Sequence, residues 1–89
     1  MSYKPKTDRE RIYHRLRIAS GHLSKVIKMY EEKSYCIDVL NQSLAVQNAL
    51  KEADSLILEK HLKTCASDAI RKGKSDEAIS EIMQVFKKQ

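Results

Sequence analysis

The chain has 89 residues, 42% of them hydrophobic, with only 2 Gly and 1 Pro and a formal net charge of +5. That length limits it to one small domain with a thin core, and the scarcity of turn residues excludes a turn-rich β fold in favour of an all-α one. The basic balance points to a polyanionic partner, nucleic acid before an anionic membrane; no run reaches the length of a membrane span and MSYKPKTDRERI lacks a signal peptide's apolar stretch, so the expected compartment is the cytoplasm.

In chain order, residues 1–7 read as a flexible tail and residues 8–89 as a single helical domain. Thr7 or Asp8 caps a first helix, with Glu10 in its first turn, running to about Glu32. Its apolar positions Ile12, Leu16, Ala19, Leu23, Val26 and Tyr30 are spaced 4-3-4-3-4, one face of a helix, and Ile27 widens the stripe. Gly21 sits inside it, at a cost of about 1 kcal/mol relative to Ala, and marks either a close helix approach or a bend. Lys33–Ser34 is the break, with Ser34 placed to cap the second helix.

The second helix is predicted to run without Gly or Pro through Cys65 to about Arg71, with Val39, Ser43, Val46, Leu50, Ala53 and Ile57 again spaced 4-3-4-3-4. Gly73 is its stop. Ser75 caps a short third helix that carries Asp76 and Glu77 in the first turn, where the helix dipole favours acid, and Ala78, Ile79, Ile82, Met83, Val85 and Phe86 as its apolar residues. Two long helices joined by a tight break form an antiparallel hairpin, and their seam-like stripes let two hairpins close into a four-helix-bundle dimer, with a tetramer as the larger assembly.

The only two cysteines, Cys36 and Cys65, sit near the ends of the second helix, with His61 four residues before Cys65. His61 and Cys65 are neighbours on one helical face and can chelate one ion. Cys36 lies 25 positions before His61, roughly 38 Å along a continuous helix. It can join the pair only from an antiparallel partner, which a two-fold axis supplies twice over. Thiolates and imidazole select Cu(I) or Zn(II) over Mg or Ca, and three donors suit Cu(I) while structural Zn usually takes four. Each cysteine alone reads more readily as a small core hydrophobe, and a lone helical histidine as a solvated or hydrogen-bonded one; the His61–Cys65 spacing is what raises the metal reading beside them. From the residues alone, a metal centre and ordinary helical side chains both stand.

One set of residues goes further: Arg15-Leu16, Gly21, the run Met29-x-Glu31-Glu32-x-x-Tyr35-Cys36-x-Asp38-x-Leu40-x-Gln42, Ala45-Val46, Ala49-Leu50, and Leu58-Glu59-x-His61-Leu62-x-x-Cys65. In these the chain resembles the CsoR/RcnR family of metal-responsive repressors, small all-helical proteins without a helix-turn-helix. Within that family Cys36, His61 and Cys65 match the copper(I) branch. Nickel and cobalt sensors place His at the last position or add an N-terminal His, whose place falls near Lys4 here; formaldehyde-responsive members lack the ligand at Cys65, and persulfide sensors lack the His. The resemblance also implies that Tyr35 and Glu81 are outer partners of the ligand histidine, fixing the imidazole and linking the third helix to the metal.

The resemblance implies operator binding by the metal-free protein and release on binding Cu(I). Arg15 matches the family's DNA-facing positions. Arg11, Arg15 and His22 share a face by spacing, and Arg17 and Lys25, with Arg9 and Lys28, add charge. The chain departs from the copper repressors at Ile18, His22 and Gln47, where basic, Gln and Arg residues are usual, so phosphate attraction is retained while sequence preference is open. No catalytic role is expected, because no Gly-rich cradle or oxyanion loop accompanies the Cys–His pair. The rivals are the same repressor with another inducer, Ni, Co, Zn or a thiol-reactive species, and a metal-independent helical interaction module.

Overall fold

The computed structural model describes residues 6–88; residues 1–5, including Lys4 and most of the expected tail, lie outside the described residues, as does Gln89. All regular structure among the described residues is helical: α1 (Asp8–Glu31), α2 (Cys36–His61), a π-helical segment (Leu62–Ala66), α3 (Ser67–Arg71) and α4 (Ser75–Lys87). His61, Ala66 and Ser67 all keep right-handed helical angles, so α2, the π segment and α3 follow one another without a turn. Three helical stretches result, as the sequence predicts.

The start of α1 is closed by side chains. Thr7 Oγ1 accepts the Glu10 amide at 3.1 Å, and the Glu10 carboxylate accepts the Lys6 amide at 2.9 Å. This reciprocal cap, worth about 1 kcal/mol, ties the last two residues of the expected tail to the helix.

Both breaks are built the same way. After α1, the Lys33 amide donates to the Tyr30 carbonyl at 3.1 Å and the Ser34 amide to the Met29 carbonyl at 2.9 Å, with Lys33 at φ 59°. After α3, the Gly73 amide donates to the Ile70 carbonyl at 3.1 Å and the Lys74 amide to the Ala69 carbonyl at 2.7 Å, with Gly73 at φ 78°. These are the nested bonds of the Schellman stop, which satisfy carbonyls left bare by a helix end. Glycine enters the left-handed region without penalty, whereas Lys33 carries a Cβ into it.

This geometry moves both expected caps by one residue. The Ser34 amide belongs to the stop of α1, and the first bond of α2 runs from the Val39 amide to the Tyr35 carbonyl at 3.1 Å, so Tyr35 holds the cap position. Lys74, with no side-chain capping bond, precedes α4, and its carbonyl accepts the Ala78 amide at 3.1 Å. Ser75 is therefore the first helical residue of α4 and not its cap.

The chain clusters into two compact units, one ending at Ile57 and one beginning at Leu58, with the boundary inside α2. In the first, Arg15 of α1 and Glu52 of α2 form an ion pair at 2.7 Å. Arg15 stands 18 residues before Lys33 and Glu52 stands 18 residues after Ser34, the register of an antiparallel hairpin folded about that link. Ala19, Val46 and Ala53 are buried along the expected stripes. Larger stripe members are not: Leu23, Ile27, Leu50 and Ile57 remain 41–51% exposed, and Leu40 and Leu44, outside the stripe, are 57% and 54% exposed. In the second unit α4 packs against α3 and the π segment, and Ala66 and Ala78 are the buried residues. Among the described residues nothing larger than valine is buried in a single chain.

Candidate functional site

Cys36 is the first residue of α2, and His61 is its last. Both cysteines are free thiols on the surface, and His61 is half-buried. Among the described residues of one chain, no three His, Cys, Asp or Glu side chains converge as a metal would require. The donor types fit a soft metal: thiolate and imidazole favour Cu(I) or Zn(II), and both sulfurs are open to an approaching ligand.

Cys65 lies in the π segment, which the sequence reading did not anticipate. There the backbone closes from i to i+5, a winding often found at functional sites. Two hydroxyls cover carbonyls around it: Thr64 Oγ1 donates to the Lys60 carbonyl and Ser67 Oγ to the Leu62 carbonyl, each at 2.8 Å. Thr64 Oγ1 also lies 3.6 Å from Cys65 Sγ. In the wider turn, the residues four and five positions on straddle the starting residue, so Cys65 stays on the side of His61. Hydroxyl residues at Thr64 and Ser67, able to bond to carbonyls of the preceding turn, were the available sequence signal.

Tyr35 is exposed at the cap of α2, and Glu81 is exposed on α4. No hydrogen bond joins Glu81 to His61 among the described residues. Because α4 packs on the π segment, Glu81 and Cys65 belong to helices that touch.

The basic candidates all lie on α1 and all are exposed: Arg11, Arg15, Arg17, His22 and Lys25. Arg11, Arg15, His22 and Lys25 follow one another at spacings of 4, 7 and 3, a stripe roughly 21 Å long at the helical rise. Arg11 pairs with Asp8 of its own helix at 3.6 Å. Arg15 reaches across to Glu52. Glu52 was missed in the sequence, although a hairpin folded at Lys33–Ser34 places it opposite Arg15.

Comparison with known proteins gives consistent results. A profile of the family described as metal-sensitive transcriptional repressor matches residues 8–88. The copper-sensing transcriptional repressor CsoR of Mycobacterium ulcerans is 42% identical over 82 residues, covering 91% of this chain and 70% of that protein. The protein of the same name from Bacillus subtilis is 38% identical over 88 residues, covering 99% of this chain and 87% of its own length. The crystal structure of the copper-sensing repressor CsoR with Cu(I) from Geobacillus thermodenitrificans superposes with a TM-score of 0.85 at 38% identity, covering 99% of this chain and 92% of that one.

Proposed function

The chain belongs to the family of metal-sensitive transcriptional repressors, and on that premise we propose that it binds operator DNA as a metal-free homo-oligomer and releases it when Cu(I) is held between subunits by Cys36 of one and His61 and Cys65 of the other. The observation that carries this reading is the placement of the donors. Cys36 opens and His61 closes one unbroken helix of 26 residues, and a helix of that length measures about 38 Å. A shared site needs a second copy, and the surface favours one. The exposed leucines and isoleucines of α1 and α2 are suited to the interior of a four-helix bundle.

Two thiolates and one imidazole provide the three soft positions that Cu(I) accepts, and the solved CsoR from Geobacillus thermodenitrificans contains Cu(I). In this reading Tyr35 and Glu81 orient the His61 ring by accepting the N–H of its second nitrogen. The stripe of Arg11, Arg15, His22 and Lys25, with Arg17 beside it, meets the phosphates. Release requires the loaded form to bind DNA more weakly, a coupling typically of about 1–3 kcal/mol.

The test is complementation between defective chains. Cys36→Ala chains are mixed anaerobically with His61→Ala/Cys65→Ala chains, and native mass spectrometry verifies subunit exchange. Each heterodimer then carries one intact site and one empty one. Tight Cu(I) binding by the mixture and by neither component is the expected result. A mixture as weak as its components overturns the shared site. Zn(II) and Ni(II) are titrated in parallel against DNA-bound wild type; release by either at a lower free concentration than Cu(I) overturns the assignment of copper.

A further inference from the structure

We propose that Glu52 acts as a brake on DNA binding by holding the guanidinium of Arg15, so that the metal-free protein grips DNA less tightly than its basic face would allow. The inference rests on the reading of Arg15 as a phosphate contact. It starts from a contact that crosses between helices: Arg15 Nη1 donates to Glu52 Oε2 at 2.7 Å, with the two side chains 49% and 60% exposed. A separation that short is typical of a charge-assisted bond. The register of the hairpin delivers it, since both residues stand at the same distance from the Lys33–Ser34 link. Arg11 differs, because its 3.6 Å partner Asp8 lies one turn away on α1 itself.

The pair has two consequences for a phosphate. Only one terminal nitrogen of Arg15 is engaged, so the remaining donors of the fork can still reach a phosphate oxygen. The carboxylate, however, comes with them. Arg15 and Glu52 together carry no net charge, and a phosphate that approaches Arg15 also approaches an anion. Binding then either breaks the 2.7 Å pair or brings like charges together. In terms of counterion release, Glu52 offsets about one neutralised phosphate per subunit, which flattens the salt dependence by about 0.9. Extrapolated from convergence at about 1 M salt, that slope amounts to roughly five-fold in affinity at about 0.15 M.

Glu52→Gln isolates the charge. Glutamine keeps the side-chain length and an oxygen that accepts the Arg15 bond, and loses only the negative charge. Four full-length proteins are compared in reduced, metal-free form: wild type, Glu52→Gln, Arg15→Ala and the double variant. The probe is a labelled mixed-sequence duplex DNA, read by fluorescence anisotropy over a salt series. For each subunit whose Arg15 meets a phosphate, Glu52→Gln should tighten binding roughly five-fold at about 0.15 M salt and steepen the slope by about 0.9. That gain should shrink when Arg15 is already replaced by alanine, since the brake acts through Arg15.

The failures are distinguishable. If Arg15→Ala leaves affinity and slope unchanged, Arg15 is not a DNA contact, and the premise falls together with the brake. If Arg15→Ala weakens binding while Glu52→Gln binds no more tightly than wild type, the brake alone is overturned. An equal gain from Glu52→Gln with and without Arg15 also overturns it, leaving Glu52 as a general surface charge. A merely structural role for Glu52 would move the unfolding midpoint and leave the salt slope unaltered, so thermal unfolding of all four proteins is followed alongside.

Discussion

Replacing Lys33 with glycine should stabilise the protein. Lys33 holds φ 59° to complete the stop of α1, and Gly73 holds φ 78° in the same nested arrangement after α3. For an L-residue the left-handed conformation costs roughly 1–2 kcal/mol, because Cβ crowds the carbonyl. Glycine escapes that cost but loses about 0.5–1 kcal/mol more backbone entropy on ordering. The balance for Lys33→Gly is a gain of about 0–1.5 kcal/mol per chain, centred on about 0.75, and at about 4–8 °C per kcal/mol for a domain of this size the midpoint should rise by a few degrees. Thermal unfolding by far-UV circular dichroism at a fixed chain concentration measures it. Gly73→Ala is the mirror experiment. A Cβ there meets nothing within 4 Å, so any loss comes from the backbone alone, and it should exceed about 1 kcal/mol. If Lys33→Gly lowers the midpoint, or Gly73→Ala leaves it unchanged, the account of these two stops is wrong.

Two further expectations concern the proposed site. Mild oxidation should link chains to one another, because two cysteines at opposite ends of a long helical run cannot satisfy disulfide geometry within one chain; a Cys36–Cys65 bridge inside a single chain, detected by non-reducing electrophoresis and mass mapping, would contradict the continuity of α2. Glu81→Gln should bind Cu(I) and DNA but release DNA poorly when Cu(I) is added, reducing a coupling typical of about 5- to 150-fold; an equal fall in DNA affinity on metal addition in wild type and variant would return Glu81 to the role of a solvated carboxylate.

Periodicity made the three helical stretches legible, since the 4-3-4 spacing of Ile12 to Tyr30 and of Val39 to Ile57 belongs to one face of a helix. It could not tell which members of a stripe a single chain buries. Ala19, Val46 and Ala53 are covered within the hairpin, while Leu50 and Ile57 on the same stripe stay open. Spacing records that a face is apolar, not which chain covers it. The caps slipped by one because Ser34 and Ser75 have good capping side chains, yet Ser34 is spent on the Schellman stop and Lys74 already begins α4. The π segment was illegible to a 3.6-residue pattern, which assumes one winding throughout. Arg15 stood out by its charge and place, but its partner required the hairpin register, a relation between residues 37 positions apart.

The small side chains in the interior carry a thermodynamic corollary. With alanines and one valine as the buried residues among those described, the oligomer proposed above would cover the leucines and isoleucines with a second copy, and folding and association would be a single equilibrium governed by mass action. Dilution then acts as a denaturant, and the unfolding midpoint climbs with chain concentration in place of having one value. Newly made chains at low abundance populate the unfolded state most and are the most open to proteolysis.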